Sequence, residues 1–210
     1  VVSGDYVAYV HVIEARDLKA KDLQGTSDPV VHVEAFGKKF ATEVVKDRLN
    51  AVFDETFVIN LRNMDQDVFK EGVFRVAVMD ADITIGRFGS LRSELIGAVS
   101  FDATYVYFNK DHEIHRRWVA LVDDENPEDA AVRGYLHLSI AIVGPDDRLK
   151  IHDEEKDRRR EREAESLAGG LDSLVVMPPT IELQSKWLVT TVGKAEYLPV
   201  MDTNLVGGAG

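Results

Sequence analysis

Eight strand-length apolar runs, rich in β-branched and aromatic residues, recur through residue 143 of this chain. They occupy residues 6–13, 29–36, 39–45, 55–61, 73–79, 95–101, 118–121 and 135–143, with loop-type residues between them. Runs of this length and spacing match strands, and no convincing long helical pattern accompanies them. Apolar strands of this number must bury one face of each sheet against another sheet, so the expected fold is all-β, an eight-stranded antiparallel β-sandwich. Hydrophobic residues make up 45% of the chain and charged residues 30%, which supplies enough apolar material for such a core.

The runs deliver acidic residues to two loops. Asp22-Leu-Gln-Gly-Thr-Ser-Asp28-Pro29 follows the first run, Asp80-Ala-Asp82 ends the fifth, and Glu94-Leu-Ile-Gly97 closes the loop that Asp82 opens. Clustered carboxylates repel one another unless a cation sits among them. A shell of six to eight oxygens in adaptable geometry suits Ca2+ better than Mg2+. The expectation is a calcium site shared by two loops.

The same residues carry a family resemblance. Ala15-Arg-Asp-Leu-Lys-Ala-Lys-Asp22 followed by Ser27-Asp28-Pro29-Val30 resembles the first calcium loop of a C2 domain, and Asn50-Ala-Val-Phe-Asp-Glu-Thr-Phe57 falls where C2 domains carry a characteristic strand. Leu91-Arg-Ser-Glu-Leu-Ile-Gly97, Tyr105-Val-Tyr107, Trp118-Val-Ala-Leu121 and the stretch from Gly134 to Asp146 are similar to the second C2 domain of ferlins, large tail-anchored proteins of vesicle fusion and membrane repair. Lys186-Trp-Leu-Val-Thr-Thr-Val-Gly-Lys-Ala-Glu-Tyr-Leu-Pro-Val-Met-Asp202 resembles the ferlin segment leading into the third C2 domain.

The resemblance implies metal ligands at Asp22, Asp28, Asp80, Asp82 and Glu94. It also implies type II topology, in which the first strand enters the first aspartate loop directly and pairs with the last strand. The implied role is a calcium-dependent phospholipid-binding module in vesicle trafficking, exocytosis, membrane fusion or repair. Its location would be cytoplasmic, peripheral at a vesicle or plasma membrane, in a fragment of a membrane-anchored protein. The alternative is a calcium-independent scaffold contacting protein partners or neighbouring ferlin domains.

The expected domains are a C2 domain over 1–147, a charged linker over 148–180, and an incomplete FerI-like segment or start of a following C2 domain over 181–210. An isolated strand must find an edge, so Trp187 and Val189 of that last segment are expected to dock on the first sandwich or on another chain. The formal net charge is −12, and residues 1–147 hold 16 Lys and Arg against 26 Asp and Glu. That balance argues against nucleic acid, whose binding neutralises phosphates with basic groups. It opposes attraction to an anionic phospholipid membrane until bound calcium changes the local potential, so calcium would act as an electrostatic switch. The chain has no cysteine, which excludes disulfides and thiolate chemistry. Nothing resembles a phosphate-cradling loop, a nucleophile elbow or a metalloprotease helix, and no enzymatic role is expected.

The loop Ile83-Thr-Ile-Gly-Arg-Phe-Gly-Ser-Leu-Arg92 is apolar for a surface loop. Either Ile85, Phe88 and Leu91 enter the lipid interface with Arg87 and Arg92 on head groups, or the loop folds back on its Gly86 and Gly89 hinges. Lys38, Lys39, Lys46 and Arg48 are interleaved with Glu34, Glu43 and Asp47 and read as a solvated face. His112 and His115 have HxxH spacing in a segment that reads as a loop, without convergent partners, and are not expected to hold a metal. The run Asp153-Glu-Glu-Lys-Asp-Arg-Arg-Arg-Glu-Arg-Glu-Ala-Glu-Ser-Leu167 has almost no apolar face and is expected to be a solvated spacer.

Overall fold

The computed structural model describes residues 1–20, 25–82, 92–126, 128–129, 131–168 and 175. The chain divides into two units, Val1–Pro179 and Thr180–Gly210. The second lies wholly outside the described residues, and with it the docking expected for Trp187 and Val189.

Eight strands appear among the described residues: β1 (Gly4–Arg16), β2 (Pro29–Ala35), β3 (Lys38–Ala41), β4 (Ala51–Met64), β5 (Val73–Asp82), β6 (Arg92–Asp102), β7 (Glu113–Leu121) and β8 (Gly134–Val143). They pair antiparallel in two four-stranded sheets, ordered β4-β1-β8-β7 and β3-β2-β5-β6. The first strand pairs with the last and leads directly into the first aspartate loop, as type II topology requires. Period-two alternation builds the core: Tyr6, Ala8, Val10 and Val12 of β1 point inward with Val31 and Val33 of β2 and Phe74, Val76 and Val78 of β5, all essentially inaccessible. Each large apolar side chain buried this way contributes about 1.5–3 kcal/mol.

The sheets touch directly at one corner. Ala98 and Val122 exchange two backbone hydrogen bonds, at 2.7 and 3.1 Å, and a Cβ on the adjacent Gly97 would lie 2.9 Å from the Leu121 side chain. Only glycine permits that approach.

Among the described residues three α-helices accompany the sandwich: α1 (Gln66–Lys70) and α2 (Ala103–Phe108) between strands, and α3 (Glu154–Ala168) after the last. The third corrects the reading of the charged run as a solvated spacer, because one of its faces is ion-paired to the sheet. Glu161 meets Arg116 and His137, Asp157 meets His115, and Glu165 meets Arg16. The helix docks by charge where it has no apolar stripe to offer.

Strand β7 is longer than the run at 118–121 for the same reason. Its first half, Glu113-Ile-His-Arg-Arg117, is polar because α3 and its approach cover it, and apolar counting passes over such a strand. Strand β3, by contrast, ends before the run at 39–45 does. Beyond it, Thr42 and Val45 still donate singly to Val31 and Pro29.

Candidate functional site

The acidic loop end rests on the middle of the second sheet. Strand pairing sets Pro29 opposite Asp80, and Asp80 opposite Glu94, so Asp28, Asp80 and Glu94 reach the same end of three adjacent strands. Asp80 is 2% exposed, and its Oδ1 accepts the backbone N–H of Asp28 at 2.7 Å. Asp28 is half-buried, and its own Oδ1 accepts from the backbone N–H of Asp47 at 2.8 Å. Among the described residues a backbone N–H thus holds one oxygen of each carboxylate, and carboxylate oxygens are the donors a hard ion takes. Of the other expected ligands, Glu94 is exposed on β6. Asp82 lies in β5, in register with Arg92. Asp22 falls outside the described residues, as do the expected membrane contacts Ile85, Arg87, Phe88 and Leu91. The residue types fit calcium, since the carboxylates of Asp28, Asp80 and Glu94 are borne at the same end of adjacent strands and offer oxygen alone.

The lysine patch behaves as a solvated face. Lys38 donates to the backbone oxygen of Asn60 at 2.6 Å, and Lys39 pairs with Glu34 at 3.2 Å.

A second polar constellation, unexpected from the sequence, lies between β1, β8, β7 and α3. His137 of β8 is 2% exposed and stacks on Trp118 of β7 with ring centroids 4.7 Å apart and planes within 13°. The Arg16 guanidinium lies 4.7 Å from the Trp118 ring centre, a cation–π contact. The His137 nitrogens are 3.8 Å from Glu14 and 3.4 Å from Glu161. These are electrostatic contacts without well-formed hydrogen bonds, since neither nitrogen has a partner at good geometry. Burial pushes the His137 pKa down, but the Glu14 and Glu161 carboxylates more than offset this and raise it above the ordinary imidazole value. Glu161 moves the other way: burial pushes its pKa up, but His137 and Arg116 outweigh that and bring it down to about 2.

A β-bulge aims β7 at α3. Register shifts between Ile114 and Arg117, and Arg116 has a φ of 46°. An extra residue of this kind re-aims side chains. The Arg116 backbone N–H donates to the Ser139 hydroxyl at 2.8 Å, and its guanidinium grips Glu161 in a bidentate pair at 2.5 and 2.7 Å.

The bulge also decides the fate of the histidines. His112 lies in a 3₁₀ turn (Lys110–His112), stacked on Tyr107 and bonded to that residue's backbone oxygen. His115 instead finds partners: Glu113 on the same strand and His152 from the approach to α3 bring donor atoms within 4.8 Å of His115 and of one another. The HxxH spacing thus singles out the wrong pair. His112 lies in the turn before β7, whereas Glu113 and His115, two apart on the strand, share a face. That i,i+2 signal is present in the sequence and is invisible when the segment is read as a loop. Burial lowers the His115 pKa despite its bond to Asp157.

Two four-stranded antiparallel sheets in type II order, with paired aspartates at one end, define a C2-type β-sandwich. The pattern of the C2 domain family matches residues 7–121, and the chain belongs to that family. Myoferlin of Xenopus tropicalis is 27% identical over 199 residues, which is 94% of this chain and 9% of the relative. The chain therefore spans under a tenth of the length of that relative. A C2 domain of plant extended synaptotagmin 1 superposes with a TM-score of 0.50 at 19% identity, covering 69% of this chain and 98% of that one. The calcium-bound tandem C2 domains of extended synaptotagmin 2 give 0.50 at 24% identity, covering 69% and 47%. These likenesses show the fold. Among the described residues, no helix is long and apolar enough to cross a membrane.

Proposed function

We propose that this chain is the second C2 domain of a ferlin-like protein, with the segment that leads toward the third, and that it binds calcium at its acidic loop end to dock on anionic phospholipid. The single observation that carries this reading is the placement of Asp28, Asp80 and Glu94 at the same end of three adjacent strands, with the Asp28 backbone N–H bonded to the Asp80 carboxylate. Similarity to myoferlin over 94% of the chain, including residues beyond the sandwich, supports the ferlin assignment. Protein side chains would leave the calcium shell incomplete, and lipid phosphate or carboxylate oxygens would finish it, so ion and membrane would bind cooperatively. The net charge of −12 makes the calcium-free state repel an anionic bilayer, which gives calcium its switching role. The chain would work as a binding module in vesicle trafficking, fusion or repair, not as an enzyme.

The test is a thermal melt with and without millimolar calcium, repeated on Asp80→Asn/Asp82→Asn. A ligand bound only by the native state raises the melting temperature. Calcium should stabilise the parent chain and leave the double variant unmoved, and a calcium shift undiminished in that variant would overturn the site.

A calcium-independent scaffold is the second reading, favoured by one observation. Asp28 and Asp80 already accept backbone N–H groups and so hold the loop end together without an ion. An unchanged parent melt, together with calcium-independent pull-down of a neighbouring ferlin domain, would select this reading.

A further inference from the structure

We propose that Glu113, His115, His152 and Asp157 form a zinc site, remote from the acidic loop end, that clamps α3 to β7. Three parts of the chain supply the donors: Glu113 and His115 from one face of β7, His152 from the connection that follows β8, and Asp157 from the first turn of α3. His152 Nε2 lies 2.8 Å from Glu113 Oε2, and His115 Nε2 lies 2.9 Å from Asp157 Oδ2. His152 Nδ1 lies 3.6 Å from the same Asp157 oxygen. Zinc bonds of about 2.0–2.2 Å in a tetrahedron place ligand atoms roughly 3.3 Å apart. One donor atom each from Glu113, His115 and His152 already lies within 4.8 Å of the others, and Asp157, which meets both imidazoles, joins them once the side chains turn toward a common ion.

The donor set selects the metal. Two imidazoles and two carboxylates suit a borderline ion, while calcium and magnesium prefer oxygen alone. The side chains are also withdrawn from solvent without being sealed: Glu113 is 9% exposed, Asp157 14%, His152 20% and His115 28%. A cavity of about 580 Å³, lined in part by all four, gives an ion a route in.

Without metal, the donors satisfy one another. The carboxylates hold imidazole N–H groups, and the His115 and His152 rings stack 3.5 Å apart with planes within 8°. Imidazole lone pairs lie in the ring plane, so one ring must turn about its side-chain torsions to share an ion with the other. Zinc entry replaces the N–H protons that now bridge to carboxylates, and binding is therefore coupled to proton release. Lys150 approaches Glu113 at 3.6 Å but pairs more closely with Asp111, at 2.7 Å, and can remain there when the ion enters. Arg160 is 3.9 Å from Asp157 on the helix side.

The experiment titrates the full chain, stripped of metal, with Zn2+ by calorimetry, with bound metal counted by elemental analysis. A Co2+ titration follows the visible absorption of a tetrahedral nitrogen–oxygen site. One zinc per chain is expected, with a higher melting temperature and slower amide exchange through α3. His115→Ala/His152→Ala should weaken zinc binding by well over the roughly 10–100-fold that loss of a mere outer partner costs, and abolish the cobalt spectrum. Asp80→Asn/Asp82→Asn should leave both unchanged, which separates this site from the calcium site. Glu113→Gln, which preserves size and an acceptor oxygen, provides a second variant should the double-histidine chain fold poorly, and it too should lose affinity. Absence of zinc stabilisation in the parent chain, or affinity undiminished in these variants, would overturn the proposal.

Discussion

The backbone N–H of Asp28 donates to Oδ1 of Asp80 at 2.7 Å, fastening the start of β2 to the end of β5 through a carboxylate that is 2% exposed. One side chain therefore serves the fold and the proposed ion site together. Those two duties are separable by chemistry.

Asp80→Ala removes the acceptor and leaves the Asp28 N–H without its partner, which should cost about 1–3 kcal/mol in calcium-free urea unfolding. Asp80→Asn retains an oxygen at the same place and should cost less. Both variants should lose calcium stabilisation. Equal apo losses in the two would mean that the hydrogen bond is not what holds the loop end.

The helix α3 offers a second separation. Glu161→Ala leaves the Arg116 guanidinium and His137 facing a gap in a partly dry interface. Breaking one member of a buried pair costs about 3–5 kcal/mol; Glu161 retains 25% of its side-chain exposure, so about 1–2 kcal/mol is the expected loss. Thermal melts should show Glu161→Gln in between, since the amide oxygen still accepts one guanidinium bond. A Glu161→Ala chain as stable as the parent would mean that α3 contributes nothing by docking.

The same interface should respond to pH with a definite sign. Glu14 of β1 and Glu161 of α3 raise the His137 pKa against burial, Arg116 of β7 opposes them, and Trp118 stacks on the ring with Arg16 on the Trp118 ring; Glu165 and Asp157 of α3 are engaged by Arg16 and His115. A group whose folded pKa exceeds its unfolded value, about 6.5 here, contributes stability that is fully present below about pH 6.5 and lost as pH rises through the folded value. Glu161, lowered to about 2, contributes above its unfolded value of about 4.3 and loses that contribution as pH falls toward 2. Docking should therefore be strongest between about pH 4.3 and 6.5. In metal-free buffer, the stability difference between the parent and His137→Gln should shrink as pH rises above about 6.5. A pH-independent difference would reduce His137 to a packing role on Trp118.

The parts of this molecule legible in its sequence are those whose physics is local. Alternation in β1 buries Tyr6, Ala8, Val10 and Val12 and announces both the strand and its inward face. The placement of Asp28 and Asp80 at neighbouring strand ends follows from where their apolar runs start and stop. The polar half of β7 was not legible, because Arg116 and His115 take their meaning from Glu161 and Asp157, which lie 45 and 42 residues away. A charged helix without an apolar stripe gives no periodic signal that it docks. Its complement is equally hidden, since Glu14, Arg16 and His137 read individually as ordinary outward strand residues. Hydrophobic patterning finds cores, and an interface built from ion pairs and a histidine–tryptophan stack leaves no such pattern.

The membrane reading rests on Phe88 and its apolar neighbours Ile85 and Leu91, in the sequence segment that follows Asp82. Aromatic and aliphatic side chains beside a calcium site enter the lipid interface when the ion draws the loop to anionic head groups. Phe88→Asp adds a charge that must either stay in water or be buried at a cost of several kcal/mol, so it should weaken calcium-dependent sedimentation with phosphatidylserine vesicles by about tenfold or more. Calcium stabilisation measured in solution should not change, because Phe88 offers no oxygen to the ion. If sedimentation persists at full strength while calcium still stabilises the chain, this loop folds back on the protein and the bilayer contact lies elsewhere at the calcium-binding end.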